Sequence, residues 1–400
     1  MSCNRVEYRR CVVRRRPRSR SLRSCWPVAV WPAVCPGMRR CAIPAAVTVG
    51  WEQRDGAKVS WGVLPVTIRG AGPDELEGSS VGRGDTYSQP DAPDPVLGAG
   101  LVLELARAHL PAGWAVSTVL EVDESGGEAR VYLLDGGVVV KTQRPHRLRP
   151  RTSQAKEVAL LRALAEPLVG RIPRVFGYAQ VDSAAGPVEF TVMSRVPGRP
   201  LSTQPVDSVH RRAVLDALSA VLRSVHALDP AAVGRVLPDE HGLPVDQDVA
   251  ALHRRLELGF ADLCEHLHAR PGRWPLRITV PELARRALDV LPATVQQPPV
   301  VLHSNPGLTH TFTDASGLFT ALIDFGDAYA SHPVLDLRSW PDPLDRRVLR
   351  ECYLEGTEPS AEWHAVWTAV MVWADVAAVA AGSEYAGAAV ADLTALLGVL

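Results

Sequence analysis

Residues 301–340 read VLHSNPGLTHTFTDASGLFTALIDFGDAYASHPVLDLRSW and constrain this chain more than any other segment. A His-led loop, a hydrophobic hairpin, Ile323-Asp324-Phe325-Gly326-Asp327 and then Asp336-Leu337 follow one another at short intervals, with 21 residues from His303 to Asp324. An Asp between an apolar run and Phe-Gly can be a simple turn residue. The whole pattern HxN(x)₄H…IDFGD…HPVLDL is far more specific than a turn.

Four hundred residues allow two or three domains. The near-neutral balance of 43 basic and 44 acidic residues hides an asymmetry. Residues 1–45 carry eleven Arg against one Glu, about +10 within a total of −1, which leaves the rest near −11. Five of the seven Cys also lie in that first segment, and only Cys264 and Cys352 remain in the body. Two cysteines are too few for a disulfide framework and suit a reducing cytoplasm. Met1–Val49 is broken by prolines and shows no sustained period, so it reads as disordered or as wrongly assigned coding sequence ahead of the true start. A nucleic-acid-binding arm and a targeting segment are the weaker alternatives. Residues 50–95 read as linker with one short strand near Val63–Ile68, so that 1–95 form a leader and linker and the folded body begins near Leu97. No membrane span is expected; Trp363–Gly382 is apolar but carries Asp375, and reads as a buried C-terminal helix.

In the body, helical spacing at Val96–His109 stops at Pro111. Strands follow at Val116–Val122, Ala129–Leu134 and Val138–Lys141, with turns at Glu124–Glu128 and Asp135–Gly137. Gln154–Glu166 has helical spacing, then Arg174–Ala179 and Val188–Ser194 read as strands. From Asp207 the pattern is mostly helical, at Asp207–Leu228, Val245–Ala269, Val280–Leu291, Glu362–Gly382 and Tyr385–Leu397.

The 301–340 motifs resemble the catalytic and metal-binding segment of the aminoglycoside phosphotransferase / choline kinase family, which writes H-G-D-x-x-x-x-N and, some twenty residues on, IDFGD. The resemblance implies an α+β, two-lobed protein-kinase-like fold: a small antiparallel β-sheet lobe over 97–195, and a mostly helical C-terminal lobe over 200–400 with the catalytic loop and acceptor site. It implies an ATP- or GTP-dependent phosphotransferase acting on a hydroxyl of a small molecule. Lys141 at a strand end would steady the phosphates, and Glu157 on the next helix would hold that lysine, with Glu166 as an alternative. Ser125, Gly126 and Gly127 would lie over the phosphates. Met193, Ser194 and Val196 fall in the lobe-connecting hinge that reads the nucleotide base. Asp324 would hold Mg²⁺, with Asp327 helping or shaping the loop, and Asp336 would brace the catalytic loop.

Two positions depart from the family pattern. Asn305 stands where the family has its catalytic Asp, and His310 where it has its metal-binding Asn. An amide can orient a hydroxyl but is not basic near neutral pH. His310 either ligates a metal, which suits Mn²⁺ or Zn²⁺ better than Mg²⁺, or donates to phosphate. His303 reads chiefly as a packed histidine under the loop, with a proton-carrying catalytic role as the alternative. The acidic body, with Glu257, Asp262 and Glu265 on its helices, is compatible with a cationic small-molecule acceptor. The competing reading is a pseudoenzyme that binds nucleotide or a small ligand without transferring phosphate.

Overall fold

The computed structural model describes residues 87–400 apart from 184–185, 205, 239–240, 271 and 399–400, with the backbone of two short strands ahead of them. The chain divides into two units, Met1–Gly72 and Pro73–Leu400. In the first, β1 (Ala46–Val49) pairs antiparallel with β2 (Gly62–Pro65). The strand expected near Val63 is therefore present in shorter form, whereas β1 falls in a stretch read as structureless. The Arg clusters of the leader lie outside the described residues.

The second unit opens with α1 (Ala99–His109), then β3 (Val119–Asp123), β4 (Ala129–Leu134), β5 (Val138–Gln143), α2 (Gln154–Ala163), β6 (Val175–Ser183) and β7 (Gly186–Ser194). These strands form an antiparallel sheet in the order β3-β4-β5-β7-β6. Side chains alternate across a strand, so Val138 and Val140 enter the small core with Tyr132, Phe190 and Val102. Lys141, one residue on, faces the other side. Polar tethers reach ahead of Leu97, where the body is expected to begin. The Asp94 carboxylate accepts from Arg130 Nη2 at 2.9 Å and Arg144 Nη2 at 2.7 Å, and Ser88 N donates to Leu148 O at 2.7 Å. No hydrophobic periodicity marks those tethers.

A two-residue strand β8 (Arg199–Pro200) leads to α3 (Ser208–His226), α4 (Pro230–Val236), α5 (Val249–His268) and α6 (Val280–Asp289). Asp207, Asp229, Asp248 and Thr279 cap these helices by accepting backbone N–H bonds. The site-bearing strands follow: β9 (Val300–Leu302), β10 (Thr311–Thr313), β11 (Phe319–Leu322) and β12 (Tyr329–Ser331). Then come α7 (Val334–Leu337), α8 (Pro343–Leu354), α9 (Ala361–Ala381) and α10 (Ala386–Leu396). β12 pairs with β9 (Leu302 opposite Tyr329), and β10 with β11 (Thr311 opposite Leu322). Gly198, at φ +90°, lets β8 run against Thr313 on β10, where a Cβ would strike the Thr313 carbonyl. The result is the two-lobed, kinase-like α+β fold that the 301–340 motifs imply.

By length and hydropathy α9 could cross a membrane, but 72% of its most apolar stretch is buried in the molecule. Its Asp375 forms a buried ion pair with Arg346 of α8, and it packs on α5, α6 and α10 as a core helix. Gly259 of α5 is the close approach: a Cβ there would lie 2.5 Å from the Trp373 ring of α9. Gly259→Ala should lower stability by about 1–3 kcal/mol, the range for overpacking a filled core. Equilibrium denaturation would read the loss directly.

Candidate active site

Backbone pairing assembles the site. β9 delivers the loop 303–310 and β12 closes the loop 323–328 beside it. The β10–β11 register continues past the strands, with Ile323 N donating to His310 O at 3.1 Å. His310 and Asp324 thereby become neighbours, with His310 Nε2 at 3.4 Å from Asp324 Oδ2.

Lys141 reaches across from β5. Its Nζ donates to Glu157 Oε2 at 2.8 Å and to Asp324 Oδ1 at 2.6 Å. Glu157 in turn accepts from Phe325 N at 3.3 Å. The sheet, α2 and the IDFGD loop are thus joined through one ammonium, and Glu157 rather than Glu166 fills the helix position. Burial alone would lower the lysine pKa, but the carboxylates of Asp324 and Glu157 outweigh it and hold the ammonium well above its usual range. Burial likewise works to raise Asp324, yet Lys141 and His310 keep its carboxyl well below the carboxylate norm. Burial dominates at Glu157 and pushes its pKa up against the pull of Lys141.

Asp336 braces the catalytic loop from beneath. Its carboxylate accepts from His303 N and Ser304 N, each at 2.8 Å, and from His226 Nε2 at 3.0 Å. Tyr353 OH meets His226 Nδ1 at 2.8 Å and extends the chain of bonds. Trp340 Nε1 donates to Pro306 O at 3.1 Å, and Thr152 Oγ1 and Arg149 both bond Asp327. Asp327 therefore shapes the loop by tying it to the segment ahead of α2. His226 and Arg149 escaped sequence reading because each sits in an ordinary helix or loop pattern, and Trp340 reads from the sequence as a packing residue.

His303, read chiefly as a packed histidine with a catalytic role as the alternative, lies beneath the loop. Its ring is fully buried, Nε2 donates to Ile323 O at 2.8 Å, and Nδ1 accepts from Asn305 N at 3.3 Å. Both ring nitrogens are engaged by backbone groups of the fold. Ser125, Gly126 and Gly127 form the exposed β3–β4 turn, where Ser125 N bonds Asp123 Oδ1 at 2.8 Å. Met193 and Ser194 end β7, with Ser194 N donating to Arg174 O at 2.8 Å, and Val196 follows before the Gly198 turn.

Among the described residues, no group of three or more His, Cys, Asp and Glu could hold a metal by itself. The pair Asp324–His310 still fits a divalent ion shared with nucleotide phosphates. His310 Nδ1 donates to Asn305 O at 2.7 Å, which fixes the ring and turns Nε2 towards Asp324. One carboxylate and one imidazole are donors that Mn²⁺ accepts more readily than Mg²⁺ does.

Ser304 is a signal the sequence carried unread. It occupies the Gly position of H-G-D and adopts φ 85°, which a side chain disfavours. Ser304→Gly should therefore raise stability by about 1 kcal/mol, seen as a higher Tm. His303 generates a pH dependence. Burial, opposed by Asp336, holds its pKa down to about 4. The unfolded chain takes up that proton near pH 6.5, so the stabilisation is complete above 6.5 and is lost as pH falls towards 4. The slope due to His303 is about 1.4 kcal/mol per pH unit in that window. His303→Gln should remove that portion of the slope in denaturation curves taken from pH 7 to 4.

Over residues 119–365, more than half of its length, the chain matches the profile described as the phosphotransferase enzyme family. No curated protein gives a significant match. Among solved structures it is similar to the apoenzyme of macrolide 2'-phosphotransferase MphH from Brachybacterium faecium, at 21% identity and TM-score 0.47, covering 74% of this chain and 97% of that one. It is also similar to APH(2")-IIa in its streptomycin–ATP ternary complex, at 16% identity and TM-score 0.47, covering 70% of this chain and 89% of that one. With 16% identity and TM-score 0.49, the GDP and kanamycin complex of APH(2")-IIIa covers 74% of this chain and 98% of its own. Spanning both the Lys141 strand and the 301–340 loops, the profile match shows that the chain belongs to the phosphotransferase enzyme family.

Proposed function

We propose that this chain transfers the terminal phosphoryl group of ATP or GTP to a hydroxyl of a small molecule, working in the cytoplasm between a small lobe, 97–195, and a helical lobe, 200–400. The observation that carries this reading is Lys141 held between Glu157 at 2.8 Å and Asp324 at 2.6 Å. A lysine so fixed offers its charge to nucleotide phosphates without wandering, and the Ser125–Gly127 turn and the Met193–Val196 hinge would close over phosphates and base. Mg²⁺ or Mn²⁺ held by Asp324 and His310 would supply charge to the phosphate oxygens. Asn305 Oδ1 accepts a hydrogen bond from the acceptor hydroxyl and aims it in line, while the amide takes no proton. The acceptor oxygen bonds to phosphorus, the bond to the nucleoside diphosphate breaks, and the acceptor proton leaves to solvent or phosphate. Phosphoryl transfer through a loose transition state depends mainly on positioning and charge, so the missing carboxylate slows the step without forbidding it.

A second reading, binding without transfer, is favoured by Asn305 itself. Nucleotide binding does not separate the two, because both require it; metal-dependent turnover does. Assayed against amino-sugars, amino-alcohols and hydroxy acids, the native chain should turn over slowly and Asn305→Asp about 10²–10⁴-fold faster. A native chain silent with every acceptor, beside an active Asn305→Asp, would assign the binding-only role. Lys141→Met should weaken nucleotide binding about 10- to 100-fold, as loss of a hydrogen bond to a charged group does.

A further inference from the structure

Residues 336–340 border the loop 303–310. Asp336 bonds His303 N and Ser304 N, Trp340 bonds Pro306 O, and Ser339 O and Asn305 Oδ1 both crowd Gly307, at 2.8 and 3.3 Å from where its Cβ would be. Arg338 lies within this strip. Its guanidinium stacks on Trp373 at 4.2 Å, which uses the face of the group and leaves its in-plane donors unspent. Arg338 Nε is buried without a hydrogen-bond partner, and so is Ser339 Oγ beside it. Two adjacent orphan donors next to the catalytic loop require an explanation.

The nearby acids do not provide one. Asp336 is committed to two backbone N–H groups and His226. Asp246 takes both bonds of Arg255, at 2.6 and 3.0 Å, and Asp327 serves Arg149, Thr152 and Arg151. Asp262, seven residues along α5 from Arg255, has a partner of its own. Tyr329, under the Arg255 guanidinium at 4.1 Å, is an uncharged phenol at neutral pH, its pKa raised by burial. Among the described residues, Arg338 has no carboxylate of its own.

We propose that Arg338, with Ser339 Oγ, anchors an oxyanion of the acceptor, a carboxylate or a phosphate, beside the hydroxyl held at Asn305. The inference rests on the phosphotransferase reading and names its substrate class: an anionic hydroxy compound rather than a polycation. The charge of the whole body suggests the opposite, but Glu257 and Glu265 are exposed and outside this strip. Local donors decide binding at contact distance, whereas net charge acts at long range.

The test titrates inorganic phosphate and acetate, separately and at fixed ionic strength, into the full chain and into Arg338→Met and Arg338→Lys by calorimetry. A fluorescent nucleotide is titrated in parallel. Saturable binding of one anion, weakened about 10- to 100-fold in Arg338→Met and less in Arg338→Lys, is the expected result. Phosphate alone indicates a phosphorylated acceptor, and acetate alone a hydroxy acid. A merely structural Arg338 would lower the Tm of Arg338→Met with no anion dependence in the wild type, and that overturns the proposal. So does anion binding that survives in Arg338→Met. Wild-type protein that binds nucleotide but neither anion sinks this inference alone, whereas failure to bind nucleotide sinks the phosphotransferase reading beneath it.

Discussion

The chemistry of this chain hangs on two backbone registers, β9 against β12 and β10 against β11. Three- and four-residue strands have little intrinsic preference to form, yet here they bring together loops twenty residues apart in sequence. Asp336 then fixes the start of the first loop with one buried carboxylate spread over three donors. Main-chain bonds and that brace form the frame, and the Lys141 ammonium and the His310 ring add side-chain bonds to Asp324 and to Asn305 O. The strand pairing and the Asp336 brace hold the backbone around Asn305 and His310 without calling on a carboxylate at position 305.

Legibility followed the physics of each element. β4 and β5 were readable because alternating burial leaves a period of two, and α9 because an apolar run of its length must be buried or spanning. Lys141, Glu157 and Asp324 were readable as a set, since strand end, helix and IDFGD occur in the right order. α8, PLDRRVLRECYL, hid behind its charges: Arg346 and Asp345 are buried yet polar, so the apolar stripe is thin. The two-residue β8 and the His226–Asp336 bond have no local signature; each exists only once the chain is folded. Arg338 is likewise silent in sequence, because nothing there says which arginine will lack an acid.

The charge arrangement also says what a ligand must do on arrival. Lys141 and Asp324 satisfy one another at 2.6 Å. Any phosphate that recruits the ammonium, or any cation that recruits the carboxylate, does so in competition with that bond. Glu157, more deeply buried, bonds both the ammonium and Phe325 N. The pair of Lys141 and Asp324 is thus pre-ordered, each charge masking the other.

The Asp94 tether bears on where this protein can be shortened. Arg130 and Arg144 are almost completely buried and share that one carboxylate, and Arg130 also donates to the Pro95 carbonyl. A chain begun at residue 97, where the hydrophobic pattern starts, would take the Asp94 carboxylate from both guanidinium groups and leave Arg130 with Glu124, at 2.8 Å, as its counter-charge. Nicking by a protease between Asp94 and Leu97 would have a similar result, loosening the strands that carry Lys141. The outermost stretch of the nucleotide lobe, polar and without a helix or strand of its own, is in this sense part of its foundation.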